Sequence, residues 1–153
     1  MILLRKTPAG WEENEPQSCA EFIFTELKEF MIENEITERI LKSAFRVHSA
    51  LGPGLLESSY KECLAYEMTQ DGLYVEKEKT MPLIYREVKL DIGYRIDLLV
   101  ENKVVIETKV VEAFNDVHLA QILTYLKLSN CKVGLLLNFH VASMKNGIKR
   151  VIL

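Results

Sequence analysis

The stretch VVIETKVVE, residues 104–112, decides how the rest of the chain reads. Its valines and isoleucine mark a strand buried in a core. Glu107 and Lys109 interrupt the run two residues apart, a spacing that sets both on one face of a strand. Buried charges are costly unless they are paired or bind something. Taken alone, a Glu-x-Lys pair in a strand reads as an ordinary neutralised pair on a solvated sheet face. The neighbouring segments decide between these readings.

Immediately before it, YRIDLLV (94–100) reads as a second strand, joined to the first through Glu101-Asn102-Lys103. A three-residue loop pairs Val100 with Val104 and sets Asp97 opposite Glu107, with Asn102 suited to the left-handed conformation that such loops need. Opposed residues share a face with Cβ atoms about 5 Å apart, so two carboxylates there repel unless a cation lies between them. A two-residue loop would slip the register by one and separate them.

Further upstream, LYVEKEKT (73–80) and PLIYREVKL (82–90) add two candidate strands, and KVVIETKVV (103–111) completes a run of four. Before that run the period is helical. Ile36, Ile40, Ala44, Val47 and Leu51 recur at helical spacing until LGPG (51–54) ends the helix. A second helix is expected from about Leu55 to Gln70, with Leu56, Tyr60, Cys63, Leu64 and Met68 inward and Asp71-Gly72 as its stop. Downstream, NDVHLAQILTYLKLSN (115–130) is helical, opened by an Asn115 or Asp116 cap. KVGLLLNF (132–139) is a short apolar strand, and IKRVIL (148–153) reads as an edge strand. Residues 1–20, with Pro8, Gly10, Pro16 and many acids, read as irregular and mobile, and AEFIFTELKEFM (20–31) as a helical turn or two.

The composition bounds the function. With 153 residues, 48% of them hydrophobic, the chain suits one globular domain with a full core. It has no run of roughly 20 apolar residues, so a soluble protein without a membrane partner is expected. MILLRKTPAGW is not a secretory signal, and Cys19, Cys63 and Cys131 form neither a zinc nor an iron–sulfur pattern, so a reducing cytoplasm is expected. The net charge is −3. Residues 1–30 carry all of it, which leaves residues 31–153 neutral and advertises no bulk affinity for polyanions.

Two further polar pairs flank the sheet. Glu57 and Tyr60 are three apart on the second helix, and Gln121 and Tyr125 are four apart on the later one, so each pair shares a helical face. Each is weak evidence alone. Together they bring polar groups from both helices to a sheet that already carries Asp97, Glu107 and Lys109.

This ordered set on an α-βββ-α-β chain resembles the PD-(D/E)XK nuclease superfamily. GPGLLESSY, supplying Gly54, Glu57 and Tyr60, further resembles the signature of the GxxExxY family. The similarity covers about residues 31–150. It divides the chain into an acidic N-terminal extension, 1–30, and a nuclease-like domain, 31–153. It implies an α+β, restriction-endonuclease-like core of order αβββαβ, with a mixed central sheet flanked by helices. Thr108 departs from the apolar residue expected between Glu107 and Lys109.

The resemblance also implies roles. Asp97, Glu107 and the backbone carbonyl of Thr108 would bind Mg²⁺ or Mn²⁺, with Glu57 extending the metal site from the helix. Lys109 would orient the attacking water or stabilise developing charge, and Gln121 and Tyr125 would position the phosphate or the lysine. Arg95 is a candidate phosphate contact, and Tyr60 a candidate substrate contact. His48 stands between reaching the metal and serving as a hydrogen-bonded structural histidine. The expected partner is nucleic acid, DNA ahead of RNA, with a homodimer allowed. The competing readings are a non-catalytic nucleic-acid- or protein-binding module on the same fold, and a plain α/β domain whose carboxylates form ordinary ion pairs.

Overall fold

The computed structural model describes residues 4–7, 10–13 and 19–153, and the chain divides into two compact units, Met1–Ile32 and Glu33–Leu153. In the first unit, β1 (Leu4–Thr7) and β2 (Gly10–Glu13) pair antiparallel with Arg5 across from Glu12, where irregular chain was expected. The expectation rested on composition, whereas a register that sets opposite charges across from each other favours pairing. The segment expected to form a turn or two belongs to α1 (Cys19–Leu51), since no glycine or proline interrupts residues 19–51.

The second unit is built on a five-stranded sheet of order β3-β4-β5-β6-β7. Its strands are β3 (Val75–Tyr85), β4 (Val88–Val100), β5 (Val104–Lys109), β6 (Val133–Asn138) and β7 (Ile148–Ile152). Only β5 and β6 pair parallel, and α3 (Asp116–Ser129) supplies the crossover that a parallel pair requires. With α1 and α2 (Glu57–Gln70) ahead of the sheet, the order is the expected αβββαβ around a mixed sheet, with β7 at the edge. Among the described residues, no helix is long and apolar enough to cross a membrane.

Two local expectations are corrected. PLIYREVKL is not a strand of its own: Arg86-Glu87 turns inside it, with Arg86 left-handed at φ 55° and Tyr85 paired to Val88. Three strands, two of them long, therefore replace the four candidates. Leu56 was expected inward but is 75% exposed, because it precedes α2 in extended conformation and the helical period does not reach it.

The loop at Glu101-Asn102-Lys103 has the predicted length. Val100 pairs with Val104, and Glu101 (φ 52°) and Asn102 (φ 54°) are both left-handed. Glu101 tolerates this because its N–H donates to Tyr74 O while its carboxylate accepts from Tyr74 N. On one side of the sheet, Leu98, Val100, Val104 and Ile106 pack with Ile40, Ala44, Tyr60 and Leu64 of α1 and α2. On the other, Leu99 and Val105 pack with Ile122, Tyr125 and Leu126 of α3. Asn115 caps α3 by accepting from His118 N at 3.0 Å, and the His118 ring accepts from Asn115 N, which accounts for that histidine.

Candidate active site

The β4–β5 ladder runs from Val100↔Val104 to Leu98↔Ile106, while β5 stays paired to β6 as far as Lys109↔Asn138. Asp97 and Glu107 are the next residues outward from that last β4–β5 pair. Asp97 substitutes a side chain for the ladder: its Oδ2 accepts from Thr108 N at 3.0 Å and from Thr108 Oγ1 at 2.7 Å. Thr108, the departure from the family pattern, is the residue that seats Asp97.

Alternation also slips here. Leu98 and Val100 face α1 and α2, yet Ile96 joins Leu99 in the cluster under α3. Across the ladder, the pairs Lys77↔Leu98 and Lys79↔Ile96 leave Glu78 facing Asp97, and Glu78 has φ 52°. Such an irregularity re-aims side chains, and here it lets elements from both sides of the sheet reach Asp97.

Glu107 is 4% exposed. Its Oε1 accepts from Lys109 Nζ at 2.7 Å, whereas its Oε2 is buried with no partner. Burial first, and then the charge of Asp97, push its carboxyl up to about 7, against the opposing pull of Lys109. Lys109 Nζ also donates to Gln121 Oε1 at 3.0 Å, and Gln121 Nε2 donates to the Tyr125 hydroxyl at 3.0 Å. Burial raises the Tyr125 hydroxyl above its usual range. Glu107, Lys109, Gln121 and Tyr125 thus form one hydrogen-bonded chain from β5 to α3. Two of the three ammonium protons of Lys109 are spent, leaving one for a further oxygen. At the sheet's end, Asn138 brackets the site: its amide bonds both Val111 N and Val111 O, and Phe139 N donates to Lys109 O.

Glu57 opens α2 in an exposed first turn and reaches Glu107 only through its charge. Among the described residues, no three His, Cys, Asp or Glu side chains gather to hold a metal. Tyr60 is fully buried, on the inward face that the helical period predicts. Its hydroxyl donates to Gly52 O at 2.5 Å and accepts from Leu55 N at 3.1 Å, and its ring stacks on Phe139 at 4.6 Å. It ties down the loop before Glu57, where Gly54 (φ 113°) takes a conformation that a side chain would strain. His48 is 8% exposed, with Nε2 2.8 Å from Val141 O, the hydrogen-bonded arrangement of one of its two readings. Arg95 is exposed, with Nε 2.8 Å from Glu78 Oε2.

Sequence reasoning missed Lys61 and Glu78. Lys61 Nζ bonds Glu78 Oε1 and lies 3.5 Å from Asp97 Oδ1. Glu78 sits among alternating lysines that read as a solvated face, and Lys61, four residues after Glu57, reads as an ordinary surface pair. No local signal separates them from that pattern.

The oxygens at Asp97 and Glu107 are hard donors, and the orphaned Glu107 Oε2 is a buried acceptor that a divalent cation would satisfy. The donor set fits such an ion. Compared with models of known families, the chain matches the one described as the PD-(D/E)XK nuclease superfamily over residues 34–151. Neither the curated proteins nor the solved structures yield a match.

Proposed function

The chain belongs to the PD-(D/E)XK nuclease superfamily, and from that premise we propose that it is a metal-dependent nuclease hydrolysing phosphodiester bonds, in DNA ahead of RNA. Gly54, Glu57 and Tyr60 support placing it in the GxxExxY family. The observation that carries the reading is the buried, unpartnered Glu107 Oε2 beside Asp97, with Lys109 on its other oxygen.

Asp97 and Glu107 would hold Mg²⁺ or Mn²⁺, joined by the Thr108 carbonyl and, from α2, by Glu57. When bound, the ion supplies Lewis acidity to a phosphate oxygen and acidifies the attacking water. Lys109, fixed by Glu107 and Gln121, directs its remaining proton to that water or to a phosphate oxygen, where negative charge develops. Gln121 and Tyr125 hold Lys109 in place. Arg95, exposed near Asp97 in sequence, is a phosphate contact.

One observation favours a non-catalytic module: Lys61 and Lys109 already neutralise the two carboxylates. The test offers single-stranded, double-stranded and branched DNA, and RNA, in Mg²⁺ or Mn²⁺ at low ionic strength, because a neutral domain binds polyanions weakly. Cleavage that stops in EDTA and is lost in Glu107→Gln supports the nuclease. No cleavage by protein that binds metal in calorimetry leaves the binding module.

A further inference from the structure

Asp97 offers its two oxygens unequally. Thr108 occupies Oδ2 with two donors, so Oδ1 is the oxygen left for a cation. The group found beside it is the ammonium of Lys61, at 3.5 Å. Both side chains are nearly enclosed, at 14% and 15% exposed, so solvent screens the pair only weakly. Glu107 presents the contrast, since its Oε2 has no partner. A divalent ion shared by the two carboxylates therefore meets one open oxygen and one already claimed.

Lys61 and such an ion cannot share Oδ1. Mg²⁺ needs oxygens at about 2.1 Å, and an ammonium close by would repel it. The lysine nonetheless has somewhere to stay. Glu78, set opposite Asp97 by the strand register, bonds Lys61 directly and is braced by Arg95 Nε at 2.8 Å. Resting on the metal-binding reading above, we propose that Lys61 is an exchangeable counter-ion of Asp97. From its place on Glu78 it neutralises the carboxylate until the divalent ion arrives, then withdraws from Asp97 while Glu78 holds it, and so sets how tightly the site binds metal.

The experiment is calorimetric titration of full-length protein with Mn²⁺, alongside thermal melts with and without the ion. Lys61→Gln removes the competitor, so its Kd should tighten about fivefold and its Mn²⁺-induced rise in Tm should exceed that of wild type. Lys61→Arg keeps the charge and should stay within about twofold of wild type. Glu78→Gln leaves Asp97 as the lysine's remaining carboxylate and should weaken Mn²⁺ binding about threefold. A merely structural lysine would not produce opposite signs in these variants. If wild type binds Mn²⁺ and Lys61→Gln binds it equally or more weakly, the counter-ion role is overturned while the metal site stands. If Lys61→Gln does not fold, an unchanged or tighter Kd in Glu78→Gln overturns it. If wild type does not bind Mn²⁺, the metal site itself falls, and the counter-ion role with it.

Discussion

The α3 side and the α2 side of the site were read from the same kind of pattern, yet they behave differently. On α3, Gln121 and Tyr125 at i and i+4 both join the chain that ends on Lys109 and Glu107. On α2, Glu57, Tyr60 and Lys61 are nearly consecutive and take three directions. Glu57 is in solvent, Tyr60 is in the core, and Lys61 is on Glu78 beside Asp97. A shared helical face places side chains together, but what that face meets depends on how the helix docks. Tyr125 and Ile122 pack into the apolar layer beneath α3. That layer aims the polar row beside them at Lys109.

The sharpest way to break the comparison is to cut the α3 chain at its centre. Lys109→Ala should lose about a thousandfold in turnover, as for removal of a preorganised charge at a developing anion, while its Mn²⁺ affinity holds. Single-turnover cleavage and calorimetry on one preparation check both halves. A variant that loses metal along with turnover would make Lys109 a structural partner of Glu107.

Cutting the α2 side at Tyr60 should instead cost stability. Tyr60→Phe leaves Gly52 O and Leu55 N without their shared partner, a loss of about 2 kcal/mol in urea unfolding. Cleavage per folded molecule should change little if the hydroxyl serves the loop alone. A turnover loss matching that of Lys109→Ala would return Tyr60 to the site.

Glu107 gives a pH test of the α3 side. Its carboxyl, at about 7 in the fold against an ordinary 4.5, binds its proton more tightly folded than unfolded. That contribution to stability is complete below 4.5 and is lost as pH rises through about 7. Metal-free Tm should therefore decline over this window, and the decline should vanish in Glu107→Gln. Mn²⁺ affinity should move the other way, rising toward and beyond pH 7 as the proton leaves. Thermal melts and titrations across a buffer series read both trends, and a flat Tm in wild type would count against a strained Glu107.

The smallest effect belongs to Thr108, between the two sides. Thr108→Val restores the expected apolar residue and removes one of two donors to Asp97, leaving the backbone N–H. Stability should fall by about 1 kcal/mol, and Mn²⁺ affinity by a few-fold, as Asp97 loosens. Unchanged affinity would show that the backbone donor alone seats the carboxylate.

Sequence by itself determined the features that rest on short-range rules. Helical and strand periods set a helical segment, a run of strands, a helix and a strand in that order, and a three-residue loop at Glu101-Asn102-Lys103 set the register from Val100↔Val104 to Leu98↔Ile106, which ends beside Asp97 and Glu107. Helical spacing on one face put Gln121 next to Tyr125. Each depends on residues a few positions apart, whose geometry the backbone enforces. Only the tertiary structure decided the rest. It joined β3 and β4 through Arg86-Glu87, turned Leu56 outward, bonded the Tyr60 hydroxyl to Gly52 and Leu55, and tied His48 to Val141. It also brought Lys61 of α2 to Glu78 and Asp97, on strands far along the chain. Docking and a slip in strand alternation created those contacts, and a lysine four residues after a glutamate carries no local mark of which distant carboxylate it will meet.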